Sequence, residues 1–236
     1  MSHYETDVIL GSTNNAPLTK SILSSATVVH PTGERCRIVS TSTEDSAAGT
    51  GIQKVMIVYF TSTWEYKQEI VELNGITPVD TVDTDIYRIQ HFSAIKTGSN
   101  DFAVGTITLK NLTETNLFAQ INVEKTSFER ALHYVRRGFR CQLKSMIICC
   151  STSVGVEFNF YVNTDYESIG GNFVCHSFIP FEVKNNVIIF PGESLPLIDA
   201  VNSTRPIAIY TCIKGLATDQ DASIYVLIEE FHVKDV

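Results

Sequence analysis

From residue 27 onward, short runs rich in β-branched and aromatic residues recur about every dozen positions with turn signals between them, the spacing of an antiparallel sandwich or barrel. The runs predict strands near 35–42, 54–61, 66–73, 84–93, 102–110, 117–123, 130–136, 140–150, 154–163, 173–183, 186–190, 206–213 and 223–233, and no long helix. In the clearest of them, Val154, Val156, Phe158, Phe160 and Val162 alternate with Gly155, Glu157, Asn159 and Tyr161, which places the apolar set on one face. Ser223–Glu229 repeats the pattern, with Ile224, Val226 and Ile228 inward and Tyr225 and Leu227 toward a second layer. Asn74-Gly75, Gly98-Ser99-Asn100-Asp101, Gly170-Gly171-Asn172 and Asn185-Asn186 fall between these runs or at their ends and supply residues that tolerate positive φ.

One segment fits two periods. In Ser127–Arg136, Phe128, Leu132 and Val135 stand at helical spacing, yet the β surroundings favour a strand ended by Gly138. Residues 1–26 are polar and turn-rich around Gly11-Ser12-Thr13-Asn14-Asn15-Ala16-Pro17, and read as an extended N-terminal arm held by a neighbouring subunit or by the domain's own edge. The expected fold is therefore all-β: an antiparallel, jelly-roll-like β-sandwich over 27–236 preceded by the arm. The strand count also serves two smaller sandwiches divided near 111–126.

A chain of 236 residues that is 44% hydrophobic can bury a substantial core, which excludes a disordered chain. A net charge of -8 and a pI near 5.2 argue against direct nucleic-acid binding, because neutralising phosphates takes a surplus of Lys and Arg. No apolar run approaches the roughly 18 residues of a membrane span, and Met1–Asp7 lacks the basic start and apolar core of a secretory signal. The chain reads as made and kept in a cytosol, or assembled there into something larger. Cys36, Cys141, Cys149, Cys150, Cys175 and Cys212 contain no C-x-x-C pair and sit mostly in strand-like sequence, the setting of buried reduced thiols. Cys149 and Cys150 should point to opposite faces.

Candidate chemistry is sparse, and each candidate has a plainer structural reading. Asp80, Asp83 and Asp85 could offer oxygen ligands to calcium, but they lack the glycine and the distal glutamate of an EF-hand loop, so a solvated acidic loop is preferred. Lys125, Arg130, Arg136, Arg137, Arg140 and Lys144 gather six of eighteen basic residues into twenty positions. An ordinary solvated face is the plain reading there, and in an acidic chain Arg130, Arg136, Arg137 and Arg140 are a better candidate for subunit contact than for nucleic acid. Tyr59, Trp64 and Tyr66, with Phe60, flank Thr61-Ser62-Thr63 and could present a receptor- or glycan-binding platform, against a hairpin whose aromatics close the sandwich.

His3, His30, His91, His133, His176 and His232 show no H-x-x-x-H spacing, and the neighbours Cys175 and His176 would point apart on a strand. The sequons Asn111-Leu112-Thr113 and Asn202-Ser203-Thr204 matter only for a secreted chain. No G-x-S-x-G, P-loop, dinucleotide fingerprint or H-E-x-x-H occurs. The expectation is a protein that is not an enzyme, with no cofactor and no metal.

Residues 40–57, S-T-S-T-E-D-S-A-A-G-T-G-I-Q-K-V-M-I, followed by Y-K-Q-E-I-V-E-L-N-G-I-T-P-V at 66–79, Tyr87-Arg88-Ile89 and Gly105-Thr106-Ile107-Thr108-Leu109, resemble a family of β-rich virion structural proteins of tailed phages and large DNA viruses. Thr6–Gly11 is also similar to the family's start, so the resemblance spans roughly residues 4–110. The later half matches only in strand pattern and in Ile189-Phe190-Pro191, and departs at Tyr134-Val135-Arg136-Arg137-Gly138, where the family commonly carries a proline before the glycine. The resemblance implies a virion location, other capsid proteins as partners, homo-oligomerisation and no catalytic residues. A capsid-shell subunit of vertex, penton or minor type is the first expectation, a tail or fibre component that binds a host receptor the second, and a hydrolase the last.

Overall fold

The computed structural model describes residues 4–13, 21–22, 29–150, 156–163, 181–183, 186–191, 197–202, 206–215 and 222–232. The chain divides into two compact units, one formed by 26–128 and the other by 1–25 together with 129–236. Strands β1 (Tyr4–Thr13) and β2 (Ser21–Ile22) open the chain and belong to the split unit.

The continuous unit holds β3 (Cys36–Ser40), β4 (Ile52–Phe60), β5 (Tyr66–Glu72), β6 (Val79–Asp80), β7 (Arg88–Thr97), β8 (Ile107–Asn111) and β9 (Leu117–Ile121). They form one sheet of order β6-β3-β8-β9 and a second of order β5-β4-β7. Alternation decides what lies between the sheets. Cys36, Ile38, Ile107 and Leu109 from the first meet Val55, Ile57, Ile89 and Phe92 from the second in a single buried cluster. Each of these aliphatic or aromatic side chains contributes about 1.5–3 kcal/mol by leaving water.

The split unit adds β10 (Leu132–Val135), β11 (Phe139–Cys150), β12 (Val156–Asn163), β13 (Phe181–Val183), β14 (Asn186–Pro191), β15 (Leu197–Asp199), β16 (Ile207–Gly215) and β17 (Ala222–His232). One sheet runs β1-β17-β11-β14 and the other β10-β16-β12-β13, with β15 and β2 paired to β11 and β16 off these paths. Setting aside β2 and β15, and numbering the eight remaining strands in chain order, the sheets read first-eighth-third-sixth and second-seventh-fourth-fifth. That order is the jelly roll. Val135, Ile207 and Ile209 of one sheet pack with Leu143, Met146, Ile224, Val226 and Ile228 of the other in the unit's core.

The thirteen strand runs expected from the sequence all contain a strand, and every strand pair among the described residues is antiparallel. Residues 173–180, Val154, Gly155, Gly170-Gly171-Asn172 and Asn185 lie outside the described residues. The segment of mixed period resolves as β10, and Gly138 turns after it with φ 85°. Residues 4–13, expected within an extended arm, run as β1 along the whole of Ala222–Phe231. On β17 Ile224, Val226 and Ile228 are buried as expected, and Ala222 with them, but Tyr225 is 37% exposed and Leu227 half-buried. Their face is open at Tyr225, as the outer face of an antiparallel sheet is free to be.

Cys36, Cys141, Cys149 and Cys150 are reduced thiols outside any disulfide. Burial, with Glu34 and Glu69 adding, pushes the Cys36 thiol up to about 12, so it stays protonated and packs as a small apolar group. Cys150 is buried and Cys149 half-buried, the alternation expected of neighbours on a strand.

The core position of Ile57, fully buried in the continuous unit, gives a direct check on this packing. Ile57→Ala should lower stability by about 2–5 kcal/mol in urea unfolding, whereas a loss below about 1 kcal/mol would place that side chain at the surface.

Candidate functional site

The polar groups that the fold brings together lie at two buried carboxylates. Asp45, fully buried in a loop of serines and threonines, accepts hydrogen bonds from Ser40 Oγ (2.6 Å), the Ile52 amide (2.9 Å), the Val104 amide (3.1 Å) and the Gly105 amide (2.8 Å). Its own carbonyl accepts the Gly75 amide at 2.8 Å, Ser40 donates its amide to Gly75 O, and Ala47 donates its amide to Leu73 O. Thr41 and Thr106 exchange two further bonds across the same junction. Parts of three of the segments that carried the sequence resemblance, Ala47–Gly51, Leu73–Gly75 and Gly105–Thr108, thus meet around one carboxylate.

Two glycines show how tightly they meet. A Cβ on Gly51 would lie 2.2 Å from Asp45 Oδ1, and one on Gly49 2.0 Å from Glu44 O, closer than any side chain tolerates. A buried carboxylate costs several kcal/mol unless its lone pairs are filled; here four donors fill them. The arrangement fixes loops, and leaves Asp45 no spare lone pair with which to bind a ligand.

The second carboxylate follows from the phase of β17. After Ala222, Ile224, Val226 and Ile228 the inward position falls to Glu230, 3% exposed. It meets His133 Nε2 at 2.8 Å and accepts from Arg136 Nε at 2.7 Å and the Arg136 amide at 3.4 Å. Burial pushes the Glu230 carboxyl up, but His133 and Arg136 outweigh it and hold it below the ordinary value. Because β10 and β17 belong to different sheets, the His133–Glu230 contact pins one sheet of the split unit to the other.

The basic run expected as a candidate contact does not form one surface. Arg130 is buried; Arg136 is turned to Glu230 and its guanidinium lies 4.1 Å over the Phe139 ring; Arg140 is half-buried; Arg137 is exposed. The aromatic set also divides. Tyr59 points into the core with its hydroxyl on Asp83 Oδ2 at 2.7 Å, and burial, then that bond, raises its pKa. Phe60, Trp64, Tyr66 and Tyr87 lie together instead, Trp64 half-buried and Tyr66 37% exposed. Their planes meet at 59°, 60° and 73°, so the rings interlock across the hairpin. Arg88, buried, caps them from 3.8 Å above Tyr87.

The three acidic residues weighed as calcium ligands are each engaged elsewhere. Asp80 makes a two-point bond to Arg37, Asp83 holds Tyr59 and Lys67, and Asp85 accepts from the Ser62 amide and hydroxyl. Among the described residues no group of His, Cys, Asp or Glu could hold a metal ion, and no helix is long and apolar enough to cross a membrane. Asn111 is buried and donates its Nδ2 to Thr113 and Thr115.

No family model matches the chain, and no curated protein matches it in sequence. Among solved structures it is similar to infectious bursal disease virus of the Gx strain, with a TM-score of 0.29 and 11% identity over 100% of this chain and 73% of that one. It is similar to the STIV MCP at 0.26 and 8%, over 96% and 97% of the two chains. The T=1 particles derived from infectious bursal virus give 0.24 and 9%, over 98% and 70%. Overlap this loose fixes neither fold nor role, and the strand order of the split unit is the firmer ground.

Two outcomes test these carboxylates. Asp45→Ala strands donors whose loss costs about 1–3 kcal/mol each, so limited proteolysis should cut within 41–51 or 98–105 under conditions where the parent resists; equal resistance would contradict the node. For Glu230 the folded pKa is depressed, so its stabilisation is fully present above the ordinary 4.5 and fades as pH falls through the lower folded value. The gap in melting temperature between the parent and Glu230→Gln should therefore shrink below pH 4.5, and a constant gap would refute that role.

Proposed function

We propose that this chain is a structural subunit of a virion, a capsid-shell protein of vertex, penton or minor type that acts through contacts with copies of itself and with other capsid proteins. The observation that carries the reading is the strand order of the split unit. Jelly rolls occur in viral shells, lectins and cupins, and the resemblance at Ser40–Ile57, Tyr66–Val79 and Gly105–Leu109 favours the shell among these.

The physical arrangement suits that work. A rigid two-sheet core leaves loops and strand edges to form repeated modest interfaces that symmetry closes. The polar side chains gathered at Asp45 and Glu230 are occupied with one another, which suits holding a scaffold in shape. Of the four arginines expected as a subunit contact, Arg137 is the exposed one and is available for it.

Light scattering of the purified chain across concentration, with electron microscopy of the products, tests the proposal. Closed symmetric oligomers are the expected result. A monomer at every concentration that also fails to enter reconstituted particles would overturn it, and a trimer whose glycan binding is lost in Trp64→Ala would move the chain to the host-recognition reading.

A further inference from the structure

We propose that β5 is a homotypic docking edge, pairing antiparallel with β5 of a second copy about a twofold axis through Gln68. Among the described residues β5 pairs with β4 alone, at the margin of its sheet. The phase of its free side is fixed by two bonds, Leu73 amide to Gln53 O and Thr61 amide to Glu65 O. These give the odd-numbered residues to β4. Tyr66, Gln68, Ile70 and Glu72 therefore turn their N–H and C=O groups outward.

Proteins ordinarily blunt such an edge with a bulge, a proline or a covering segment. The β4–β5 ladder runs from Lys54↔Glu72 to Phe60↔Tyr66 without a register shift. By contrast β4–β7 is irregular at three places, the far side of β7 meets Ser127 and the Thr126 carbonyl, and β8–β9 carries its own irregularity. Lys67, Glu69 and Glu72 charge this edge against indiscriminate pairing, while Ile70 stands 55% exposed among them.

The side chains select both the partner and the register. A twofold axis normal to the sheet pairs residues of the same parity, because only then do both copies keep the same face toward their cores. With the axis at Gln68, Tyr66 faces Ile70 of the second copy, Lys67 faces Glu69 and Gln68 faces itself, a ladder over Tyr66–Ile70. Each apolar and each charged pair then occurs twice, and no two carboxylates oppose. An axis at Glu69 would set glutamate against glutamate, and one at Lys67 lysine against lysine. An axis at Ile70 would place Lys67 opposite Leu73 and leave it unmatched. Glu69 is already held in place by the Val82 and Asp83 amides, so its carboxylate is positioned before the partner arrives.

The edge contact deepens the shell-subunit reading without depending on it. Full-length Gln68→Cys and Glu72→Cys, treated with a short bis-maleimide beside the parent chain as control for the native thiols, decide it. Gln68→Cys should give a covalent dimer. Glu72→Cys should not, because its two copies would lie about 26 Å apart along the ladder. Adding Lys67→Glu to Gln68→Cys should cut the dimer yield about fivefold by setting two carboxylates face to face. No dimer from Gln68→Cys, or equal yields from the two cysteine variants, would overturn the edge contact while leaving the virion proposal to its own assembly assay.

Discussion

The split unit depends on one ladder, Tyr4–Thr13 against Ala222–Phe231, in which residues far apart in sequence complete a sheet. Without β1, β17 would be left as the edge of its sheet, and the jelly-roll order would lose its first strand. Between β1 and β10 the chain makes the whole of the continuous unit. A flexible loop of that length would cost little more entropy than a shorter one, since each doubling adds only about 0.6 kcal/mol. Here most of the excursion has a core of its own and stabilises itself.

Each unit then solves the same problem, a carboxylate in a place that excludes water. Asp45 is filled by neutral donors from three loops, so it acts as a knot that fixes where those loops run. Glu230 is filled by His133 and Arg136, and through His133 it ties the two sheets to each other. Breaking such a buried pair by removing one partner costs about 3–5 kcal/mol, while making it gains little over an apolar contact. The payoff of both is therefore a defined geometry, which is what a subunit needs if its surface is to match a neighbour's repeatedly.

The strands were legible because period and turn chemistry are local: Asn74-Gly75 marks a turn, and the Val226–Ile228 alternation marks a buried face, whatever the partner strand is. Pairing was not legible, because the polar stretch Tyr4-Glu5-Thr6-Asp7 carries no sign that β17 will lie beside it. The two carboxylates were missed for different reasons. Asp45 sits in a loop whose composition reads as solvated, and only Gly49 and Gly51, spaced as if something had to pass close, hinted otherwise. Glu230 had a visible signal, since it continues the inward phase of β17, and with it Arg136 could have been read as an internal partner. Tyr59 likewise parts from the ring group that Phe60 joins, because neighbours on a strand point to opposite faces.

Everything proposed for this chain as a shell subunit rests on a closed jelly roll, and its closure is the β1–β17 ladder. Hydrogen exchange on the intact protein, read on peptides covering 4–13 and 222–232, measures that directly. The account predicts that about half of the amides in 4–13, those facing β17, exchange as slowly as their partners in 222–232. Complete exchange of 4–13 on the timescale of an unstructured segment, with 222–232 still protected through β11, would contradict it.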